Sequence, residues 1–167
     1  AYQRIGKSGR ELIDLTWEQM GREVVRWQKA LSSESLDTGD RVAVLLRNCP
    51  DWVKFDQASL GNGLVTVPLY TDDRADNAAY ILADAAVKLL LVQDAGRWKR
   101  LAPAIRNQGC LRRVVILDTS EEARRLQAAD PRLVLADDWL PAAGGSLNQR
   151  DGDPHALASI VYTSGTT

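Results

Sequence analysis

Apolar residues recur at spacings of three and four from residue 17 onward. Trp17, Met20, Val24, Trp27 and Leu31 make one stripe, which predicts an amphipathic helix over residues 17–31 with that stripe, Trp17 included, in the core. Thr16 is placed to cap this helix, with Gln19 three residues on reaching back to it. Leu15 and Met20 have the spacing of a hydrophobic staple.

Beyond it the pattern alternates between short apolar runs and helical periodicity. Gly39-Asp40 reads as a turn and residues 41–46 as a strand. Pro50 suits the first turn of a helix. That helix runs to about residue 60 with Trp52, Phe55 and Ser59 on one side, and Gly61 and Gly63 end it. Residues 64–69 form the next strand. A helix over 76–86 turns Ala78, Ile81, Leu82 and Ala85 inward, and 88–92 is a strand. A helix over 96–106 carries Trp98, Leu101, Ala102 and Ile105 at helical spacing, followed by a strand over 113–117. Thr119 and Glu122 read as a capping box for a short helix. Residues 133–135 read as a short strand. A Gly/Ser/Asn-rich loop near 143–153 precedes a final apolar strand over 158–162.

These strands are short, continuous and rich in Val, Ile and Leu, as strands buried on both faces are. Their alternation with helices predicts an α/β fold: a doubly wound, mainly parallel sheet with helices on both faces.

Composition narrows the function classes. The 167 residues hold 21 Lys plus Arg and 22 Asp plus Glu, a formal net charge of -1. No electrostatic footprint for nucleic acid follows from that balance. A hydrophobic content of 45% with five Trp excludes a disordered chain. The apolar runs are far shorter than the roughly 20 residues a membrane span needs. No secretory leader opens the chain, so a cytoplasmic protein is expected. Cys49 and Cys110 lack metal spacing and read as reduced, partly buried thiols. His155, the only histidine, sits in a turn-like Asp-Pro-His context and reads as a loop residue. The basic stretch over 97–113 and the acidic one over 118–153 read as solvated faces and strand ends, with a basic patch for an anionic cofactor or a membrane surface as the alternative.

The candidate chemistry lies at residues 160–167, Ile-Val-Tyr-Thr-Ser-Gly-Thr-Thr. An apolar strand runs directly into a hydroxyl- and glycine-rich segment. In open α/β sheets, ligands bind beyond the carboxyl ends of the strands. Phosphate binding needs converging donors, which glycine-permitted backbone amides and Ser/Thr hydroxyls supply. The segment is not a Walker loop, because no Gly-Lys-Ser/Thr follows.

Residues 162–167, Tyr-Thr-Ser-Gly-Thr-Thr, match the opening of the signature loop of the adenylate-forming (AMP-binding) ligases, the family of acyl-CoA synthetases, firefly luciferase and peptide-synthetase adenylation domains. The resemblance extends back to Thr16-Trp17 and its helix, Gly39-Asp40-Arg41-Val42-Ala43, Asn48-Cys49-Pro50-Asp51-Trp52, the 63–70 run Gly-Leu-Val-Thr-Val-Pro-Leu-Tyr, and Tyr80-Ile81-Leu82-Ala83-Asp84-Ala85. Residues 68–73 and the Tyr-Ile-Leu helix resemble bacterial long-chain fatty acyl-CoA ligases most.

The resemblance implies that residues 1–167 are a partial amino-terminal AMP-binding domain, part of the large domain of such an enzyme, ending inside the phosphate-binding loop. It implies a fatty acid–CoA ligase: a carboxylate attacks ATP, with Mg²⁺ present, to give acyl-adenylate, and coenzyme A then takes the acyl group. Thr163, Ser164, Gly165, Thr166 and Thr167 are the implied contacts to the β- and γ-phosphates, in a loop mobile when empty and ordered by nucleotide. No catalytic residue is expected within these residues. The signature's later Gly, Pro-Lys and Gly are absent, so the chain by itself is expected to have little or no ligase activity. The implied partner is a fatty acid substrate. Peripheral association with the inner membrane and a homodimer stay open. Alternatives are an amino-acid-adenylating or luciferase-like enzyme, and a non-catalytic nucleotide-binding or interaction module. A receiver domain fits less well, since no acidic pair follows the strand at 42–46.

Overall fold

The computed structural model describes residues 2–6, 9–106, 108–149 and 153–163. Strands β3 (Arg41–Leu45), β4 (Val65–Pro68), β5 (Leu89–Val92), β6 (Arg113–Ile116) and β7 (Leu133–Leu135) form one parallel sheet in the order β4-β3-β5-β6-β7. A separate antiparallel hairpin, β1 (Tyr2–Gly6) and β2 (Gly9–Ile13), pairs Tyr2 with Ile13 and Gly6 with Gly9.

Helices cover both faces, as expected. On one face pack α1 (Trp17–Ser32), α2 (Pro50–Gly61) and α6 (Ala136–Trp139), against Val42, Val44, Leu89, Leu91 and Val115. On the other lie α3 (Ala75–Asp84), α4 (Ala95–Leu101) and α5 (Glu121–Ala129), against Ala43, Leu45, Leu90, Val92, Val114 and Ile116. Successive residues of a strand point to opposite faces. With both faces covered, the Leu-Leu-Leu-Val run of β5 is buried throughout.

Local signals explain most element ends. Thr16 and Gln19 make the expected capping box on α1, with both hydrogen bonds present. Pro50 opens α2, and Gly63 turns the chain into β4 at φ +73°, a left-handed conformation that favours glycine. Trp27 (1% exposed) meets Phe55 and Trp139 edge-on, with ring centroids 5.8 and 5.7 Å apart.

Five expectations need correction. Trp17 is 91% exposed. It lies on the rim of an open groove between α1 and α2, lined also by Met20, Val24, Val53, Leu60 and Leu147, and none of the described residues covers it. The helix expected over 96–106 is α-helical only to Leu101 and continues as a 3-10 turn, Ala102–Ile105. Pro103 has no amide to donate into an α-helical ladder. The cap of α5 is Ser120, whose hydroxyl accepts from the Ala123 amide at 3.2 Å, and Glu122 instead binds Lys99 at 2.7 Å. Cys110 is exposed rather than partly buried, while Cys49 is half-buried, and both thiols are free. Residues 158–162 make one parallel bridge, Thr66 to Ser159, rather than a full strand. Among the described residues no helix is long and apolar enough to cross a membrane.

Candidate functional site

The chain leaves β3 toward β4 on one side and leaves β5 toward β6 on the other, while β3 and β5 are neighbours. Their carboxyl ends therefore mark the switch in strand direction where open α/β sheets place ligands. Arg47, just past β3, donates its amide to the Gln93 side chain just past β5, at 3.5 Å.

Beside this point, residues 158–163 run along the outer edge of β4. The Thr66 amide donates to the Ala158 carbonyl and the Ile160 amide to the Thr66 carbonyl, each at 3.0 Å. The side chains then alternate. Ile160 and Tyr162 pack against the α3–α4 face, whereas Val161 is exposed. The Tyr162 hydroxyl donates to the carboxylate of Asp84, at 2.5 Å. That acceptor holds the phenolic proton, and with partial burial and the negative Asp84 nearby it pushes the Tyr162 pKa up to about 12. Tyr162 is therefore a neutral donor across the physiological range.

Three clefts meet on Tyr70, which follows β4 and is 61% exposed. The first, about 580 Å³, is lined by Tyr70, Asp72, Asp73, Asn77, Tyr80 and Ile81 together with Tyr162 and Thr163. The second, about 550 Å³, opens past the carboxyl ends of β3 and β4, between Arg47, Asn48, Trp52, Thr71 and Val161. A smaller one, about 220 Å³, is bordered by Arg74, Arg97 and Arg100. Its wall is fixed: Arg97 donates to the Thr71 carbonyl at 2.8 Å, and Asp94 accepts the Arg97 amide at 2.8 Å to cap α4.

The aspartates that follow β5 and β6 thus shape loops. Asp118 accepts from the Ser120 hydroxyl at 2.6 Å and amide at 2.9 Å; the hydroxyl bond chiefly, against a smaller opposing effect of burial, holds its carboxyl below the ordinary value. Among the described residues no group of three or more His, Cys, Asp or Glu could hold a metal ion. His155 sits in a turn, its amide bonded to Asp153.

Of the sequence-predicted site residues, Thr163 lines the first cleft. Ser164, Gly165, Thr166 and Thr167 lie outside the described residues. Sequence reading passed over Asp84, Asn77, Tyr80 and Tyr70 as site residues. One signal was available for Asp84: a carboxylate in the last turn of a helix opposes the helix dipole, so its placement asks for another reason.

The chain is 26% identical over 164 residues to the long-chain-fatty-acid–CoA ligase FadD15 of Mycobacterium bovis, covering 92% of this chain and 25% of that protein. It is 25% identical over 168 residues to long chain acyl-CoA synthetase 3 of Arabidopsis thaliana, covering 97% and 25%. The chain thus spans about a quarter of the length of these relatives. Among solved structures, the anthranilate CoA ligase AuaEII, in complex with anthranoyl-AMP, superposes with a TM-score of 0.79 at 22% identity, over 93% of this chain and 28% of that one. A long-chain-fatty-acid–CoA ligase of Archaeoglobus fulgidus gives 0.75 at 18%, over 92% and 28%. The sequence profile of the AMP-binding enzymes matches residues 5–167, and this chain belongs to that family of adenylate-forming enzymes.

Proposed function

We propose that this chain is part of a long-chain fatty acid–CoA ligase, and that its residues form the amino-terminal part of that enzyme's AMP-binding domain. The observation that carries the reading is the delivery of Tyr162 and Thr163, where the family's signature begins, to a cleft beyond the carboxyl edge of a parallel sheet. The names of the long-chain acyl-CoA relatives support a fatty acid as the carboxylate.

In this reading the carboxylate attacks the α-phosphate of ATP and releases pyrophosphate. The thiol of coenzyme A then displaces AMP and forms the thioester. Both steps depend on positioning and on stabilising developing charge. Thr163, Ser164, Gly165, Thr166 and Thr167 bind the β- and γ-phosphates: the glycine lets the backbone approach, and the hydroxyls donate. Mg²⁺ would accompany the nucleotide, held largely by its phosphates and water.

The test is ATP–pyrophosphate exchange by the full-length protein that contains this chain, with palmitate, aromatic acids and amino acids offered separately. Palmitate-dependent exchange followed by consumption of coenzyme A is expected. A full-length protein that exchanges with no carboxylate would sink the ligase reading.

A further inference from the structure

We propose that Asp84 is a positioning residue: through the Tyr162 hydroxyl it fixes the root of the phosphate-binding segment over the first cleft. This rests on the function proposed above, and nothing in the family signature assigns it, since Asp84 stands on a different element 78 residues earlier.

Among the described residues, Ile160 makes the last backbone bond to β4, through Thr66. Val161, next along, is exposed and lines the second cleft, past the ends of β3 and β4. Tyr162 is then the last described side chain packed against the body of the fold before the Ser/Thr/Gly run begins. Its ring rests on the α3–α4 face, and its hydroxyl is held by Asp84 at 2.5 Å. A ring packed on one side and hydrogen-bonded at its tip has one orientation, and the backbone at Thr163 inherits it.

Asp84 itself gains nothing for its helix. It is the last residue of α3, where the helix dipole disfavours a carboxylate, and no cation pairs with it among the described ion pairs. Asp is also a poor helix former. Its one described side-chain hydrogen bond is the one to Tyr162. One turn earlier on the same helix face, Tyr80 is 64% exposed and lines the cleft with Asn77 and Thr163. The α3 face thus holds the root of the segment at Asp84 and lines the open cleft beside it with Asn77, Tyr80 and Ile81.

The test uses the full-length protein with Asp84→Ala, Tyr162→Phe, the double variant, and Asp84→Glu as the conservative replacement. Hydrogen exchange across residues 160–167 reads the anchoring without needing activity. Exchange should rise about tenfold in each single variant, the scale of losing one charge-assisted hydrogen bond, with the double variant no faster than either. In the exchange assay KM for ATP should rise by a similar factor while KM for the fatty acid stays within about twofold, and Asp84→Glu should recover part of the loss. Unchanged exchange at 160–167 overturns the proposal whatever the activity. So does a double variant whose effects multiply, because two residues acting through one bond cannot. If exchange responds as expected but no carboxylate supports turnover, the anchor stands and the ligase reading fails.

Discussion

Gln28 and Asn148 grip one another with both ends of a single amide. Gln28 Nε2 donates to the Asn148 carbonyl at 2.7 Å, and the Asn148 amide donates back to Gln28 Oε1 at 2.9 Å. Gln28 is buried on α1, and Asn148 lies in the long connection between α6 and the edge of β4. The Asn148 side chain adds a bond to the Gly61 carbonyl at the end of α2. The pair therefore straps the connection across α1 and α2 on its way to Tyr162. Gln28→Ala leaves a backbone donor and acceptor of Asn148 without their partner, and should cost about 2 kcal/mol. Urea unfolding checks this, with Gln28→Glu as a comparison that keeps shape but removes the donor.

Substituting alanine for glycine should have opposite signs at two positions that touch the same helix. At Gly144 a Cβ would lie 2.4 Å from the Val25 carbonyl carbon and 2.6 Å from the Arg26 amide, so the strap could not seat on α1. Backbone cannot give way as a side chain can, and Gly144→Ala should destabilise by about 1–3 kcal/mol. At Gly21, inside α1, a Cβ meets nothing within 4 Å and φ is ordinary. There alanine lowers the entropy of the unfolded chain and should stabilise by roughly 0.5–1 kcal/mol. Thermal unfolding of the two variants side by side separates the cases.

The cap of α5 is decided by one residue. Ser120 Oγ accepts from the Ala123 amide, and Ser120 is itself held by Asp118. Ser120→Ala should cost about 1 kcal/mol. Thr119→Ala, one position earlier and exposed, should stay within about 0.5 kcal/mol. Equal losses from the two would show that the cap is not where it is described.

The sheet was readable because its strands are buried on both faces. A run such as Leu89–Val92 admits few other readings once helical stripes flank it. Helix starts were readable where a cap chemistry was unique, as at Thr16 and Pro50, and slipped by one residue where Thr119 and Ser120 compete. Trp17 was misread because periodicity assigns a face and says nothing about whether another element covers it. The hairpin of residues 2–13 escaped notice because isolated strand pairs carry little burial pattern. The site divides the same way. Thr163 came from a contiguous motif, whereas Tyr70 and Asn77 line its cleft, and Asp84 reaches the adjoining Tyr162, only through the fold.

Acid should expose a different weakness, at the amino ends of the inner strands β3 and β5. Lys88 Nζ donates to Asp40 Oδ2 at 2.6 Å, and the Asp37 amide donates to the same oxygen at 2.8 Å. The side chains are 21% and 10% exposed. Burial by itself would raise the Asp40 carboxyl, but the bonds from Lys88 and Asp37 and the charges of Lys88 and Arg41 outweigh it and hold the pKa below the ordinary 3.8. A carboxyl depressed in the folded state binds its proton more readily when unfolded. Its contribution is therefore complete above pH 3.8 and is lost as pH falls through the lower, folded value. Asp40→Asn removes that contribution at neutral pH and strands the Lys88 ammonium, at a cost of about 2–3 kcal/mol after allowing for partial exposure. The decisive comparison is urea unfolding at pH 7 and again below pH 3.8. The gap between parent and variant should narrow in acid. Some acid sensitivity should persist in the variant, because Asp118, held by Ser120, and Asp130, held by Arg132, are depressed as well. A gap that stays constant with pH would mean that Asp40 stabilises the turn by shape rather than by charge.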